Sequence, residues 1–143
     1  MIRSGLAQLL ARLAEIETAH EKWVRFLYAY PNRVTQKLLD TLAEHKSLVK
    51  YIDMPLQHAS DRMLHAMQRP YTLDRYRAVV DGIRQRNAHA AIGSDVIVGF
   101  PGECDSDFDL LAGYLAASPL THLHVFPYSD RPGTAAARLP GKV

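Results

Sequence analysis

Segments that favour strands and segments that favour helices alternate along this chain, and no other feature limits its possible folds as strongly. Four runs rich in aromatic or β-branched residues end at prolines or polar turns, as strands do, and apolar residues at helical spacing fill the stretches between them. The predicted strands are 23–30, 48–54, 90–100 and 121–128; the predicted helices are 4–18 with Ser4 as N-cap, 34–44, 60–68, a longer helix that begins after Thr72, and 108–116. Helices that connect successive strands require those strands to run parallel. The chain is therefore predicted to be an α/β protein with a parallel sheet.

Two parallel architectures agree with this order of elements. One is an open, doubly wound sheet, and the other is part of a (β/α) barrel. The glycine signatures of the first, GxGxxG and GxxxxGK[ST], do not occur in the sequence. A complete eight-stranded barrel typically needs about 250 residues, so this chain of 143 residues would form about half of one. The residues alone leave both architectures open.

Composition excludes several classes of protein. With 48% hydrophobic and 22% charged residues, the chain has the balance of a globular domain. Its net charge of +2 is too small to indicate nucleic-acid binding by itself. No apolar run approaches the roughly 18 residues of a membrane span, and the amphipathic N-terminus carries acidic residues, unlike a signal or transit peptide. We therefore predict a cytoplasmic protein without a membrane partner.

The metal-binding and nucleophilic residue types are sparse. Cys104 is the single cysteine, which excludes an internal disulfide and any multi-cysteine metal site built by this chain alone. It falls near the N-cap of a helix, where a thiol can be acidified, but no base is assigned to it. His58, His122 and His124 could be proposed as metal ligands, yet packed or exposed histidines explain them better. The residues predict no metal site and no catalytic residue.

Polar and glycine-containing segments follow all four predicted strands. These segments are 30–32, 54–58, 99–103 and 127–131. Ligands bind beyond the carboxyl ends of the strands in either architecture, so the four segments together predict one shared binding site, although each alone is an ordinary turn. Gly99 and Gly102 would let a ligand approach the backbone and the N-terminus of the next helix.

Asp95 is the most unusual residue of this predicted site because it lies inside an apolar strand. A carboxylate in that setting needs a hydrogen-bond or charge partner, or it faces a cavity. The first interpretation makes Asp95 structural, the second makes it a ligand-binding residue, and the sequence favours neither. Asp53 allows the same two interpretations with less force, because it lies close to a strand end.

Three strings of the sequence occur together in one family. They are YIDMPLQHASDRMLHAMQRPYT (51–72), SDVIVGFPGE (94–103) and HVFPYSDRPGTAAA (124–137), in the right order and over nearly the whole chain. In this respect the chain resembles the radical-SAM methylthiotransferases, the MiaB/RimO family. The resemblance implies that residues 1–143 form a single partial (β/α) barrel with parallel strands, about half of a TIM-like radical-SAM barrel.

The same resemblance implies a chemistry that depends on two cofactors. In these enzymes a CxxxCxxC motif holds a [4Fe-4S] cluster, which reduces S-adenosylmethionine to a radical that abstracts hydrogen from an unreactive C–H bond. A methylthio group is then installed at that carbon. A second cluster in an N-terminal domain takes part in sulfur transfer, and a C-terminal TRAM domain helps hold RNA-linked substrates.

The sequence departs from this family pattern at the clusters. CxxxCxxC, the cysteines of the second cluster and a TRAM domain after Val143 are all missing, and Cys104 stands where these enzymes commonly carry a threonine. We therefore expect a fragment that contains none of the cluster ligands and is inactive alone.

The resemblance places seven residues around S-adenosylmethionine and the substrate. The expected cofactor-binding residues are Gln57, Asp95, Val98, Gly99, Phe126 and Tyr128, and Arg131 is expected on the substrate side. Gln57 follows a strand in the family's PLQ motif, and Asp95 lies on the strand that flanks the adenosine.

The resemblance leaves the substrate open between two branches of the family. Residues 23–60 look most like the RimO branch, which modifies an aspartate of a small-subunit ribosomal protein. Residues 90–143 look most like the MiaB-like branch, which acts on an adenosine derivative next to the tRNA anticodon. The second stretch is longer and favours tRNA.

Two other classes of function compete with a fragment of a methylthiotransferase. One is a non-catalytic half barrel that binds S-adenosylmethionine or self-associates through its exposed sheet edges. The other is an ordinary α/β enzyme, which is disfavoured because the sequence shows no nucleophile, base or phosphate loop. The isolated chain is expected to bind S-adenosylmethionine weakly, since half of the pocket would be missing.

Overall fold

The computed structural model describes residues 5–143. The helices are α1 (Leu6–Glu15), α2 (Gln36–Glu44), α3 (Asp61–Ala66), α4 (Leu73–Arg86) and α5 (Asp105–Ala117), and the strands are β1 (Tyr51–Asp53), β2 (Ala91–Val98) and β3 (His122–Pro127). The predicted N-cap Ser4 lies outside the described residues. Within residues 5–143, no helix is long and apolar enough to cross a membrane.

The three strands form one parallel sheet in the order β1-β2-β3. Asp53 pairs in register with Gly93, and Asp95 pairs with His124. Helices α3 and α4 connect β1 to β2, and α5 connects β2 to β3. The predicted parallel α/β fold is confirmed.

The two faces of the sheet differ in a way that decides between the two predicted architectures. Ile52, Ile92 and Val96 are buried in the same core as the inward side chains of α2 and α4. The alternate positions, which include Asp95 and His124, form the other face, where His124 is exposed. A doubly wound sheet has helices on both faces, whereas a barrel has them on the outside only. The fold is therefore a partial (β/α) barrel.

A buried hydrogen-bond network holds the loop that follows β1. The hydroxyl of Tyr76, on α4, is fully buried; it donates to the carbonyl of Met54 at 2.9 Å and lies 3.2 Å from Ser94 Oγ. Ser94 Oγ accepts the backbone N–H of Leu56 at 3.0 Å. Burial raises the pKa of Tyr76 well above its ordinary value, so the hydroxyl keeps its proton and remains a donor. Gln57, the next residue along the chain, is positioned by this network.

The strand predicted over 23–30 is wrong. Instead of a strand ladder, this segment makes an isolated parallel bridge between Val24 and Leu48, and the N–H groups of Tyr28 and Ala29 donate to the Asp53 carboxylate and carbonyl. The φ of Tyr28 is +58°, in the left-handed region that a pleated strand does not enter. The aromatic composition that favours a strand is therefore overridden at one backbone position.

Several boundaries also differ from those predicted. The strand predicted over 48–54 shortens to β1, the helices predicted over 4–18 and 60–68 end earlier, and the helix predicted over 108–116 begins earlier, at Asp105. The early start of α5 follows from its N-cap, Cys104, whose N–H donates to the carboxylate of Asp107 at 3.1 Å.

Candidate cofactor-binding cleft

An open cleft of about 610 Å³ lies at the carboxyl ends of β2 and β3. It is lined by Gln57, Asp95, Ile97, Phe100, Phe126, Pro127, Tyr128, Ser129 and Arg131. Five of the seven residues expected around the cofactor and substrate are thus brought together: Gln57, Asp95, Phe126, Tyr128 and Arg131. The position agrees with the rule that ligands bind beyond the carboxyl ends of parallel strands.

Val98 and Gly99 do not line the cleft, and their neighbours Ile97 and Phe100 do. Val98 packs against the core because side chains alternate along β2 and Ile97 takes the cleft side. Gly99 has a φ of +73°, and a Cβ added there would meet nothing within 4 Å. Glycine adopts this left-handed conformation without the strain that a side chain would cause.

Gln57 extends the pairing of the sheet beyond β1. Its N–H donates to the carbonyl of Asp95 at 2.8 Å, and its own carbonyl accepts the N–H of Ile97 at 2.9 Å. The φ of Gln57 is +69°. Non-glycine residues adopt this conformation at an energetic cost that the surrounding structure must offset, and such positions cluster at ligand-binding sites.

Asp95 has both a partner and a cavity, the two surroundings that the sequence left open as alternatives. Its Oδ1 lies 3.0 Å from Nδ1 of His124, and its side chain, 20% exposed, also lines the cleft. Asp53 is structural, because it is buried and accepts the backbone N–H of Tyr28 at 3.0 Å.

The histidines do not converge on a metal. His122 Nδ1 lies 3.2 Å from Thr121 Oγ1, whereas His124 pairs with Asp95. Across residues 5–143, no group of three or more histidine, cysteine, aspartate or glutamate side chains could hold a metal ion.

One wall of the cleft is aromatic. Phe126 is half exposed, and the rings of Phe100 and Tyr128 meet edge to face with centroids 5.2 Å apart. The N–H of Tyr128 donates to the carbonyl of Val98 at 2.8 Å, which continues the pairing of β3 with β2 to the end of the cleft. A planar aromatic ligand can stack on such a wall.

Asp107 joins the loop before α5 to α3. It is buried and accepts hydrogen bonds from Ser60 Oγ at 2.7 Å, from the N–H of Cys104 at 3.1 Å, from Cys104 Sγ at 3.0 Å and from the Arg62 guanidinium. Burial alone would raise the pKa of Asp107, but hydrogen bonds from Cys104, Ser60 and Arg62 outweigh it and hold the pKa well below the ordinary range. This cluster fixes the segment 99–103 at the edge of the cleft.

His58 is a fully buried histidine under the same segment. Its Nδ1 accepts the backbone N–H of Ser60 at 2.9 Å, so the neutral ring carries its hydrogen on Nε2, which has no hydrogen-bond partner among the described residues. The nearest carboxylate oxygen recorded for Nε2, on Glu103, lies 3.9 Å away. Burial lowers the pKa of His58, and the charges of Glu103 and Asp107 oppose that effect only in part.

Because burial lowers the pKa of His58, the free energy of unfolding is expected to decrease as the pH falls from 7 to 5. The unfolded chain binds a proton on His58 near its ordinary pKa of 6.5, before the folded chain does, and one such proton changes the free energy of unfolding by at most about 1.4 kcal/mol per pH unit. In urea denaturation at several pH values, the free energy of unfolding should depend less steeply on pH for His58→Gln than for the wild-type chain. His89→Gln, which changes an exposed histidine, is the control. Equal slopes for His58→Gln and the wild type would contradict this role.

Arg69 is a residue that sequence reasoning missed. It lies in the turn between α3 and α4, beside a cavity of about 540 Å³ that Gln68 and Pro70 also line. Its Nε is buried, and no hydrogen-bond partner exists for it among residues 5–143. Its charge lowers the pKa of Tyr71, which burial raises to about 12, and the Tyr71 hydroxyl donates to the carbonyl of Leu56 at 3.2 Å. Arg69 is thus close to the loop that carries Gln57.

A larger groove of about 840 Å³ lies between α4 and α5. It is lined by side chains of these two helices and of the residues that follow α5, including Val80, Leu110, Tyr114 and Pro119. None of the seven residues expected around the cofactor and substrate lines this groove, whereas five of them line the cleft beyond β2 and β3. We therefore assign the candidate site to the cleft.

The family model of the Radical SAM superfamily matches residues 1–115. The chain belongs to the Radical SAM superfamily. Its resemblance to the methylthiotransferases is also confirmed, since the chain is 55% identical over 142 residues to the ribosomal protein uS12 methylthiotransferase RimO of Solibacter usitatus, and 42% identical over 142 residues to that of Koribacter versatilis. Each match covers 99% of this chain but only 30% and 28% of the relative, so the chain spans about a third of their length or less.

Solved Radical SAM structures show the same fold. Coproporphyrinogen III oxidase (HemN) from Escherichia coli superimposes with a TM-score of 0.74 over 96% of this chain and 31% of its own, at 18% identity. The radical S-adenosylmethionine methyltransferase TsrM from Kitasatospora setae, solved with cobalamin and a [4Fe-4S] cluster, gives 0.66 over 86% of this chain and 24% of its own, at 16% identity.

The residues present do not fit the iron–sulfur cluster of a Radical SAM enzyme. Such a cluster is held by several cysteine thiolates, and this sequence has one, Cys104, which is exposed. Within the described part of the chain, the histidines and carboxylates supply no alternative set of ligands.

The residues do fit S-adenosylmethionine. Its adenine matches the aromatic wall, its ribose hydroxyls match a carboxylate such as Asp95, and its methionine carboxylate requires a cation. Arg131 is the cation among the residues that line the cleft. Arg69, whose buried Nε has no partner among residues 5–143, lines a separate cavity and is the alternative candidate for this carboxylate.

Proposed function

We propose that this chain forms the S-adenosylmethionine-binding part of the barrel of a methylthiotransferase that acts on ribosomal protein uS12. The observation that carries the proposal is the cleft, in which Asp95, Gln57 and an aromatic wall meet beyond parallel strands. The match to ribosomal protein uS12 methylthiotransferases over nearly the whole chain supports the substrate. The tRNA substrate favoured by residues 90–143 has no support from these relatives. A ribosomal-protein substrate also supports a cytoplasmic location for the reaction.

Each residue of the cleft has a separate role in this proposal. Phe126 and Tyr128 stack against the adenine, and Asp95 accepts hydrogen bonds from the ribose hydroxyls. Gln57 fixes the loop between the cofactor and the substrate. When bound and reduced by the family's cluster, S-adenosylmethionine supplies the hydrogen-abstracting chemistry.

Arg131 is assigned to the substrate. It lines the outer end of the cleft and its guanidinium makes no ion pair among residues 5–143. A guanidinium pairs well with a carboxylate, which is what the aspartate target of the RimO branch offers.

The substrate assignment is tested by exchanging a segment between this chain and a relative. Residues 1–143 would replace the matching segment of the Solibacter usitatus enzyme, and uS12 and a tRNA anticodon stem-loop would be analysed by mass spectrometry after reaction. We expect a methylthio group on uS12 alone. A chimera that loads its clusters and binds S-adenosylmethionine yet leaves uS12 unmodified contradicts the proposal, and modification of the tRNA assigns the chain to the other branch.

The isolated chain is expected to hold no iron–sulfur cluster. Anaerobic reconstitution with iron and sulfide, followed by desalting, should leave no absorbance near 400 nm, because one cysteine cannot replace the several ligands of a cluster. Cys104→Ser should behave identically. A stoichiometric cluster on the monomer would contradict the ligand assignment.

Binding of the cofactor is tested with S-adenosylhomocysteine, which is stable and retains the adenosine and the carboxylate. Titration of the ¹⁵N-labelled chain should shift the resonances of the cleft with a Kd weaker than micromolar. Asp95→Asn should weaken binding at least about tenfold, since a charge-assisted hydrogen bond is lost. Asp109→Asn, at an exposed position of α5, is the control. Shifts confined to residues outside the cleft would contradict the proposed site.

A second candidate function is a self-associating module without catalysis. All six residues of β3 are exposed, among them Leu123, 40% exposed, and Val125, 55% exposed. An uncovered apolar strand at a sheet edge favours association. Sedimentation at several concentrations would detect it, and a chain that stays monomeric at 100 µM and above excludes it.

A further inference from the structure

We propose that His124 is a positioning residue that holds the Asp95 carboxylate in the orientation required by an adenosine ligand. The proposal rests on the proposed function, because it gives Asp95 the ribose as its ligand. The observation behind it is the distance of 3.0 Å between His124 Nδ1 and Asp95 Oδ1. The two residues are register partners on adjacent parallel strands, so the backbone itself brings their side chains together.

The contact leaves Asp95 with one occupied oxygen and one free oxygen. A carboxylate only accepts hydrogen bonds, so the hydrogen lies on Nδ1 of His124. This contact is the only hydrogen bond of the Asp95 side chain found among residues 5–143. Without it, the carboxylate is free to rotate about its Cβ–Cγ bond, a torsion with broad energy minima. With it, Oδ1 is engaged by the histidine and Oδ2 remains available to a ligand.

The surroundings of His124 indicate that it acts through Asp95 rather than on the ligand. Asp95 lines the cleft and His124 does not. The His124 side chain is 64% exposed, and its ring lies beside Phe126 with centroids 6.4 Å apart. Its other neighbour on the open face of the sheet is His122, whose Nδ1 is directed to Thr121. The two histidines, alike in type and exposure, therefore differ in one respect that matters here: contact with Asp95.

Three substitutions separate a positioning role from a merely structural one. In His124→Asn the side-chain amide nitrogen takes nearly the place of Nδ1, and the donor is retained. In His124→Gln the amide is one bond further out, and His124→Ala removes the donor altogether. His122→Ala is the matched control on the same strand and face. Affinity for S-adenosylhomocysteine would be measured by ¹⁵N titration, with thermal unfolding recorded for each variant.

We expect His124→Ala and His124→Gln to weaken binding about three- to tenfold, less than the loss of a direct hydrogen bond to a charged group, because the ligand still meets the Asp95 carboxylate. His124→Asn should restore affinity to within about twofold, and His122→Ala should leave it unchanged. In an Asp95→Ala background, His124→Ala should have no further effect, since nothing remains to be positioned. The ¹⁵N spectrum of the His124 ring should show hydrogen on Nδ1 in the wild-type chain and not in Asp95→Ala.

The outcomes distinguish this inference from the function on which it rests. A wild-type chain that binds S-adenosylhomocysteine, with His124→Ala at equal affinity, overturns the positioning role and leaves the proposed function intact. Equal losses in His124→Asn and His124→Ala, or a loss that persists in the Asp95→Ala background, also overturn it. A wild-type chain with no binding at millimolar ligand overturns both.

Discussion

Replacing Asp107 with alanine is expected to lower the free energy of unfolding by about 2 kcal/mol, the usual cost of leaving buried hydrogen-bond donors without their acceptor. The carboxylate receives hydrogen bonds from Ser60, Arg62 and Cys104, and its removal leaves the Ser60 hydroxyl and the Cys104 N–H without that partner. Because the cluster fixes the segment 99–103, the edge of the cleft should loosen as well. Urea denaturation measures the first effect, and hydrogen exchange of the Phe100 and Glu103 amides measures the second.

The pH dependence of this effect has a definite sign. The folded-state pKa of Asp107 is lowered, so its contribution is complete above the ordinary pKa of 3.8 and is lost as the pH falls toward the folded-state value. The difference between the wild-type chain and Asp107→Ala should therefore be largest at neutral pH and shrink in strong acid. Asp109→Ala, an exposed carboxylate on the same helix, should change stability by less than about 0.5 kcal/mol. A loss of similar size in both variants would contradict the special role of Asp107.

Replacing Arg69 with methionine is expected to weaken binding of S-adenosylhomocysteine at least about tenfold and to leave the fold as stable as before. The affinity falls because a guanidinium–carboxylate pair is lost. The stability does not fall because the Arg69 Nε is buried without a partner among the described residues, so its removal relieves a desolvation cost. Methionine keeps the apolar stem of the side chain.

This combination of results is specific to a residue that serves a ligand. Arg77→Met, which changes an exposed arginine of α4, should alter neither quantity. Adenosine, which lacks the carboxylate, should bind the wild-type chain and Arg69→Met equally well. If Arg69→Met lowers stability by several kcal/mol, or weakens adenosine and S-adenosylhomocysteine alike, Arg69 is a structural residue and the carboxylate is held elsewhere.

The cleft shows how far residue types in a strand can define a site. Asp95 is conspicuous in the sequence because a carboxylate between isoleucines and valines must have a partner or a cavity, and it has both. Phe126 and Tyr128 are expected in the site from the family resemblance, and both line the cleft. Arg69 carries no such signal, because an arginine between a glutamine and a proline is ordinary in a turn.

The aromatic segment 23–30 shows where local propensity fails. Its composition favours a strand, and it does lie beside β1. Tyr28, however, has a left-handed φ that nothing in the sequence indicates. Strand propensity is an average over many structural contexts. In this chain, the hydrogen bonds from Tyr28 and Ala29 to Asp53 are made in one particular backbone conformation, which is not that of a strand.

By itself, the sequence determined the parallel α/β fold, the end of the sheet that carries the cleft and the lack of cysteines for a cluster, because each depends on residue type and spacing. Only the tertiary structure decided which side chains meet: His124 with Asp95, Ser60 with Asp107, and a guanidinium whose buried Nε has no partner among residues 5–143. Those contacts join residues 29 to 47 positions apart along the chain. Hydrogen bonds at such separations are set by strand register and helix packing, which no local pattern in the sequence records.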